Sequence, residues 1–227
     1  MARSNSRARM LPTERRAQIL SAARRLLEGR PIDDVSVEAV ASEAGVSPGL
    51  LFHYFGSQRK FRQAVLEMAA GELLVHVRPH PGLSPAEQLR AGIETFIDYV
   101  SRFPAIYQAV TRLNRGADVR ALHTTSRATI GGWILEAFRD AGVEPTPGIR
   151  LTVTAWLAYM EEAVLGWLAS PELGKDELAR MCERSFYLLV RGAVDNESRW
   201  EDIQTALDRR PEQPLRHEPP AAANPPG

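Results

Sequence analysis

The sequence predicts an all-α protein built from a small N-terminal three-helix head and a larger helical body. Three observations carry this. Apolar residues recur at spacings of three and four along most of the chain, the period of one face of an α-helix. Ser, Thr, Gly and Pro interrupt those runs where helices need caps, left-handed turns or stops. No stretch alternates apolar and polar residues with the period of two that a half-buried strand requires.

The elements follow in order. Residues 1–11 form a flexible basic arm carrying Arg3, Arg7 and Arg9. A first helix begins at Thr13, an available cap, and aligns Ile19, Ala23, Leu26 and Leu27 before Gly29 and Pro31 stop it. Ser36 caps a short second helix with Val37, Val40 and Ala41 on one face, and Gly45 ends it where the turn calls for φ > 0. Ser47 caps a third helix with Pro48 at its first position, and that helix closes near Gly56 after two turns. Ser57 caps a fourth, aligning Phe61, Val65 and Met68. Longer helices are predicted over 85–102, from Pro104 to the Asn-Arg-Gly at 114–116, and over 118–141, 148–169 and 174–192. Residues 195–227 are predicted to be a disordered tail, since positions 211–227 hold six prolines in seventeen residues. The domains therefore divide as 1–11, 12–62, 63–194 and 195–227.

Charge separates the head from the body. Lys/Arg and Asp/Glu balance at 28 each, yet residues 1–62 hold eleven basic against six acidic residues. A basic head on an acidic body suits an anionic partner such as nucleic acid. The lone Cys182 excludes an intrachain disulfide framework and reads as packing. The N-terminus has no apolar stretch of the secretory kind, and Glu161 and Glu162 interrupt the most apolar run. A cytoplasmic protein with no membrane partner is predicted.

The second and third helices, joined by a turn at Gly45, make a helix-turn-helix whose second helix enters the DNA major groove. Phe52, His53, Tyr54 and Phe55 are consecutive, and side chains 100° apart cannot all face one core. Leu51 and Phe55 are assigned inward, His53 and Tyr54 outward to bases and phosphates, and Phe52 to either the core or a thymine methyl group. Ser36, Ser47, Pro48 and Gly49 lie at the same surface, Gly49 leaving room for DNA to approach the backbone. Gln58, Arg59 and Lys60 occupy a first turn where cations oppose the helix dipole, an arrangement that makes sense opposite phosphates.

The run SVEAVASEAGVSPGLLFHYFGSQRKF resembles the DNA-binding signature of the tetracycline-repressor (TetR) family, and the resemblance is specific over about residues 13–65. It implies a homodimeric regulator with a three-helix DNA-binding domain and a larger, divergent ligand-binding and dimerisation domain. Phe52 stands where the family usually has a phosphate-contacting Tyr, and Gln58 where it usually has Lys. His53 matches a position that commonly touches phosphate, and Tyr54 one often held by His or Tyr.

The resemblance further implies that the last two long helices dimerise. Their candidate stripes are Leu151, Ala155, Ala158, Glu162, Leu165 and Ala169, and Leu178, Cys182, Ser185 and Leu189. Aromatic residues concentrate in the body. Phe96, Tyr99 and Phe103 at helical spacing, with Trp133, Trp156 and Met160 opposite, are candidate walls of a pocket for a small hydrophobic ligand. Tyr107, Arg112, His123, Arg127 and Glu161 are its candidate polar anchors, with an acidic ligand head near an Arg. The function so implied is a repressor released from its operator by that ligand. Two rivals stand beside it: a helical enzyme using Glu161 or Glu162 with His123 as acid and base, and an architectural DNA-binding protein without a ligand. No nucleophile motif or phosphate-cradling loop is present, so no enzyme and no cofactor is predicted. His76 and His80 are separated by Pro79, against a shared metal-binding face.

Overall fold

The computed structural model describes residues 10–28, 30, 35–111 and 117–211. Among them lie ten helices and no strand. The head comprises α1 (Pro12–Leu26), α2 (Val37–Glu43) and α3 (Pro48–Phe55). Helix α4 (Gln58–His76) leads into α5 (Pro85–Arg102), α6 (Pro104–Thr111), α7 (Ala117–Asp140), α8 (Pro147–Ala169), α9 (Lys175–Gly192) and α10 (Glu197–Asp208).

Local sequence explains most of these boundaries. The hydroxyls of Ser36, Ser47 and Ser57 accept hydrogen bonds from the backbone N–H groups of Ala39 (3.0 Å), Leu50 (3.1 Å) and Lys60 (3.3 Å), starting α2, α3 and α4. Ser84 and Glu87 form a reciprocal capping box at the start of α5. Helix α1 corrects the expectation of a Thr13 cap. It starts one residue earlier, at Pro12, and the Glu14 carboxylate accepts from the Leu11 N–H at 2.9 Å.

The head packs around Ile19, Val40 and Leu51, all fully buried. Gln18 Nε2 donates to the Ala44 carbonyl at 2.9 Å, tying α1 to the end of α2. Helix α4 packs on both α1 and α3, and further along on α5 and α7. It runs unbroken past position 62, so head and body are joined by a helix rather than by a linker.

In the body, α5 packs on α9, α9 on α8, and α8 on α7. The centre holds Trp156, whose indole Nε1 donates to the Cys182 carbonyl at 3.0 Å and lies 3.1 Å from Ser185 Oγ. Arg90 of α5 grips the nearly buried Glu183 of α9 through three contacts of 2.8–3.1 Å. The predicted tail needs correction over its first part. Residues 197–208 form α10, capped by Asn196, and bury Trp200, Ile203 and Leu207, with α10 packing on α5. Positions 212–227 lie outside the described residues, as do 1–9 of the basic arm, with Arg3, Arg7 and Arg9.

Candidate nucleic-acid interface and ligand cavity

The turn between α2 and α3 is a left-handed helix cap. Gly45 has φ +65°, Val46 N–H donates to the Ala41 carbonyl at 2.9 Å, and Gly45 N–H to that of Ser42 at 3.0 Å. A Cβ added at Gly45 would meet nothing within 4 Å, so its requirement for glycine is conformational and not steric. On α3, Leu51 and Phe55 are buried while Phe52 and His53 are exposed. Phe52 is therefore a surface residue, 39% exposed and available to a partner. Tyr54 is less outward than expected. It is half-buried against the core, with its ring edge-on to His53 at 5.6 Å.

Gly49 is exposed, and the nearest atom to an added Cβ is Ser47 Oγ at 3.9 Å. Among the described residues nothing demands glycine there. Gln58, Arg59 and Lys60 are exposed in the first turn of α4, which holds no acidic residue. Ser36, Ser47 and Pro48 are exposed as well. Arg59 Nη2 lies 3.8 Å from Asp118 of α7, so one candidate phosphate contact already faces an acidic neighbour.

A cavity of about 160 Å³ opens among α4 to α10. Its walls include Phe96, Tyr99, Trp133, Trp156 and Met160, which the sequence proposed for this role. Phe103 is a correction. It terminates α5 and is buried outside the cavity, with the Arg24 guanidinium over its ring at 5.1 Å. The sequence reading missed the walls from α4 (Ala69, Leu73), from α9 (Phe186, Tyr187) and from α10 (Leu207). The spacing of Phe186 from Cys182 and Val190 held a signal for them, but periodicity does not say whether a buried face meets a neighbour or a void.

Tyr107, His123, Arg127 and Glu161 gather at this cavity, whereas Arg112 lies outside the described residues. Glu161 Oε2 is 2.8 Å from His123 Nε2 and 3.8 Å from Arg127 Nη1. Arg127 Nη2 donates to the Thr154 carbonyl at 3.1 Å. Burial, reinforced by the Glu161 charge, pushes the Tyr107 hydroxyl far above its ordinary pKa, so it stays a phenol. Glu162 is exposed, so of the acid–base combinations suggested by the sequence only His123 with Glu161 is brought together. Among the described residues there is no metal-competent cluster, and no helix is long and apolar enough to cross a membrane.

Residues 19–65 match the family of bacterial regulatory proteins, tetR family. The chain is 30% identical over 109 residues to the transcriptional activator FasR of Mycolicibacterium smegmatis, covering 47% of this chain and 50% of FasR. It is 27% identical over 155 residues to the regulator EthR of Mycobacterium tuberculosis, covering 63% of this chain and 70% of EthR. The fold matches that of a tetR-family regulator from Streptomyces coelicolor with a TM-score of 0.78 at 24% identity, over 89% of this chain and 92% of the other. The helix-turn-helix segment, residues 19–65, is of the TetR family. The chain's matched segment spans about half the length of FasR.

TetR-family regulators act as dimers on operator DNA, which directs attention to the outer face of α8 and α9. Leu151, Ala155, Ala158, Glu162 and Ala169 are exposed along α8, with Tyr159 beside them. Leu165, Leu178 and Cys182 are corrections: each is at most 1% exposed, part of the subunit's own core and out of reach of a second subunit. Burial also pushes the Cys182 thiol up to about 11, as suits a packing residue. Ser185 is turned toward Trp156, so on α9 the accessible apolar face runs through Leu188 and Leu189.

Proposed function

We propose that the chain is a TetR-family regulator, a dimeric, cytoplasmic repressor that binds a pseudo-palindromic operator and leaves it when a small hydrophobic molecule enters the body. Ser47, Gly49, Phe52, His53 and Tyr54 meet the groove, and Ser36, Gln58, Arg59 and Lys60 the phosphates. The dimer forms across Leu151, Ala155, Ala158, Glu162 and Ala169 of α8 and Leu188 and Leu189 of α9.

The observation that carries the ligand-release part is one chain of contacts. Tyr99 lines the cavity, and its hydroxyl donates to the Ala69 carbonyl of α4 at 2.9 Å. One turn further on, Glu72 of α4 holds Arg24 of α1 at 2.7 Å. A molecule that displaces the Tyr99 ring therefore acts on the helix that carries Arg59 and Lys60, and on the first helix of the head. Release follows if the ligand prefers the arrangement in which the two recognition helices of the dimer no longer fit successive grooves.

Two measurements test this reading. Tyr54→Ala with Lys60→Ala should weaken operator binding, and the slope of log affinity against log salt should fall by about one unit for the lost phosphate contact. Unchanged affinity at physiological salt rules out this interface. Glu72→Gln should keep operator binding but cut the ligand-induced loss of affinity by about fivefold or more, the lower end of ordinary allosteric coupling. An undiminished response would exclude Arg24–Glu72 as the route.

A further inference from the structure

The polar end of the cavity carries information about what enters it. Glu161 presents one engaged oxygen and one that is accessible. Both its side-chain contacts, with His123 and Arg127, fall on Oε2, and Oε1 has no hydrogen bond among the described residues. The Tyr107 hydroxyl also has none, although its ring is held edge-on to Phe96 at 5.4 Å. An ionised carboxylate can only accept, and a phenol can both donate and accept. The complementary group is one that gives a proton to Oε1 while receiving one from Tyr107, which is a hydroxyl.

Charge narrows the choice. An anionic head would meet the Glu161 carboxylate, and Arg127 is turned to Thr154 and Glu161 instead of into an empty slot. An acidic ligand head therefore does not fit beside Arg127. A cationic head would approach the same carboxylate that Arg127 already neutralises. Size narrows it further. The cavity, at about 160 Å³, resembles the roughly 150 Å³ cavities that take up benzene, and ring walls from Phe96, Trp133 and Trp156 suit an aromatic body.

We propose that the site selects a compact, uncharged aryl alcohol, its ring among Phe96, Trp133 and Trp156 and its hydroxyl bridging Glu161 Oε1 and Tyr107. This deepens the ligand-release reading and rests on it for its consequence, but not for the binding itself.

Three probes on one propylphenyl frame test it: 4-propylphenol, propylbenzene and 4-propylbenzoate, each titrated calorimetrically into the dimer and separately into the operator complex. The phenol should bind about tenfold or more tighter than propylbenzene, as a hydrogen bond to a charged acceptor warrants, and the benzoate weakest. Glu161→Gln should shrink the phenol's advantage to about threefold or less, since a neutral amide oxygen is the weaker acceptor. Equal binding of phenol and propylbenzene, or tightest binding of the benzoate, overturns the proposal without recourse to any variant. So does a phenol preference that Glu161→Gln leaves intact, and so does failure of all three to bind. If the phenol binds in the stated order yet never releases the operator, the aryl alcohol assignment holds and the ligand-release reading fails.

Discussion

Helices α3 and α8 place their candidate functional residues in opposite ways. Helix α3 is eight residues long and buries one side, through Leu51 and Phe55 with Tyr54 at its margin. Whatever it does not bury is presented outward, and among the described residues Phe52 and Gly49 have no structural duty to explain them. Helix α8 is 23 residues long and is used on three sides. Trp156, Met160 and Glu161 meet the cavity, Ile149, Val153, Val164 and Leu165 meet the core, and Leu151, Ala155 and Ala158 face outward. A helix with one buried side shows its function as the residues left over. A helix used on three sides has nothing left over, and each side chain's role depends on which side its angle selects.

Substitutions should break this comparison along different observables. The largest effect is expected at Trp156, which is 1% exposed, stacks edge-on with Phe186 at 5.0 Å and donates to the Cys182 carbonyl. Trp156→Ala should cost about 3–5 kcal/mol, from lost transfer energy and an enlarged void, seen as a fall in the denaturant midpoint. Phe52→Ala should alter stability by no more than about 0.5 kcal/mol, yet weaken operator binding by about tenfold if the ring meets a thymine methyl. If Phe52→Ala destabilised the fold while leaving operator affinity alone, α3 would be a packing helix like α8.

Two glycines sharpen the contrast within the head. Gly45→Ala should cost about 1–2 kcal/mol because φ +65° is unfavourable for any residue with a Cβ. Gly49→Ala lies in helical backbone with open space around it, so it should be neutral or stabilising by up to about 1 kcal/mol. Its cost should instead appear in operator affinity, where the added methyl meets DNA. Thermal melts with and without operator separate the two; equal destabilisation of the free protein would remove the functional reading of Gly49.

The same contrast accounts for what the sequence made legible. Caps and turns are local chemistry, and Ser36, Ser47, Ser57 and Gly45 acted where their residue types said they would. The inward pair Leu51 and Phe55 was legible because α3 has a single buried side. The errors fall where the third dimension decides. Leu165, Leu178 and Cys182 share a helical period with residues that face outward, and only the crossing of α8 with α9 assigns them to the core. Phe103 continued the cavity spacing of Phe96 and Tyr99, but the end of α5 turns it toward Arg24. Helix α10 was readable in principle, since Asn196 caps it and Trp200, Ile203 and Leu207 keep helical spacing. The prolines that follow masked that signal.

The smallest expected effect lies where head and body touch. Arg59 stands 3.8 Å from Asp118, in the first turn of α7, and both side chains are largely exposed, at 84% and 53%. Such surface pairs contribute about 0–1 kcal/mol, so Asp118→Asn should barely change stability. Its effect should be on DNA. Losing the carboxylate leaves Arg59 to the phosphates and removes a repulsive charge from the operator-facing end of α4. Operator affinity should rise about two- to threefold near 0.1 M salt, with the gain fading as added salt screens the charges. Arg59→Ala decides whether the pair itself is responsible. If Asp118 acts by holding Arg59, Asp118→Asn should give little further gain in the Arg59→Ala background. An equal gain in both backgrounds, read by anisotropy titrations at matched salt, would reduce Asp118 to a general electrostatic brake with no specific hold on Arg59.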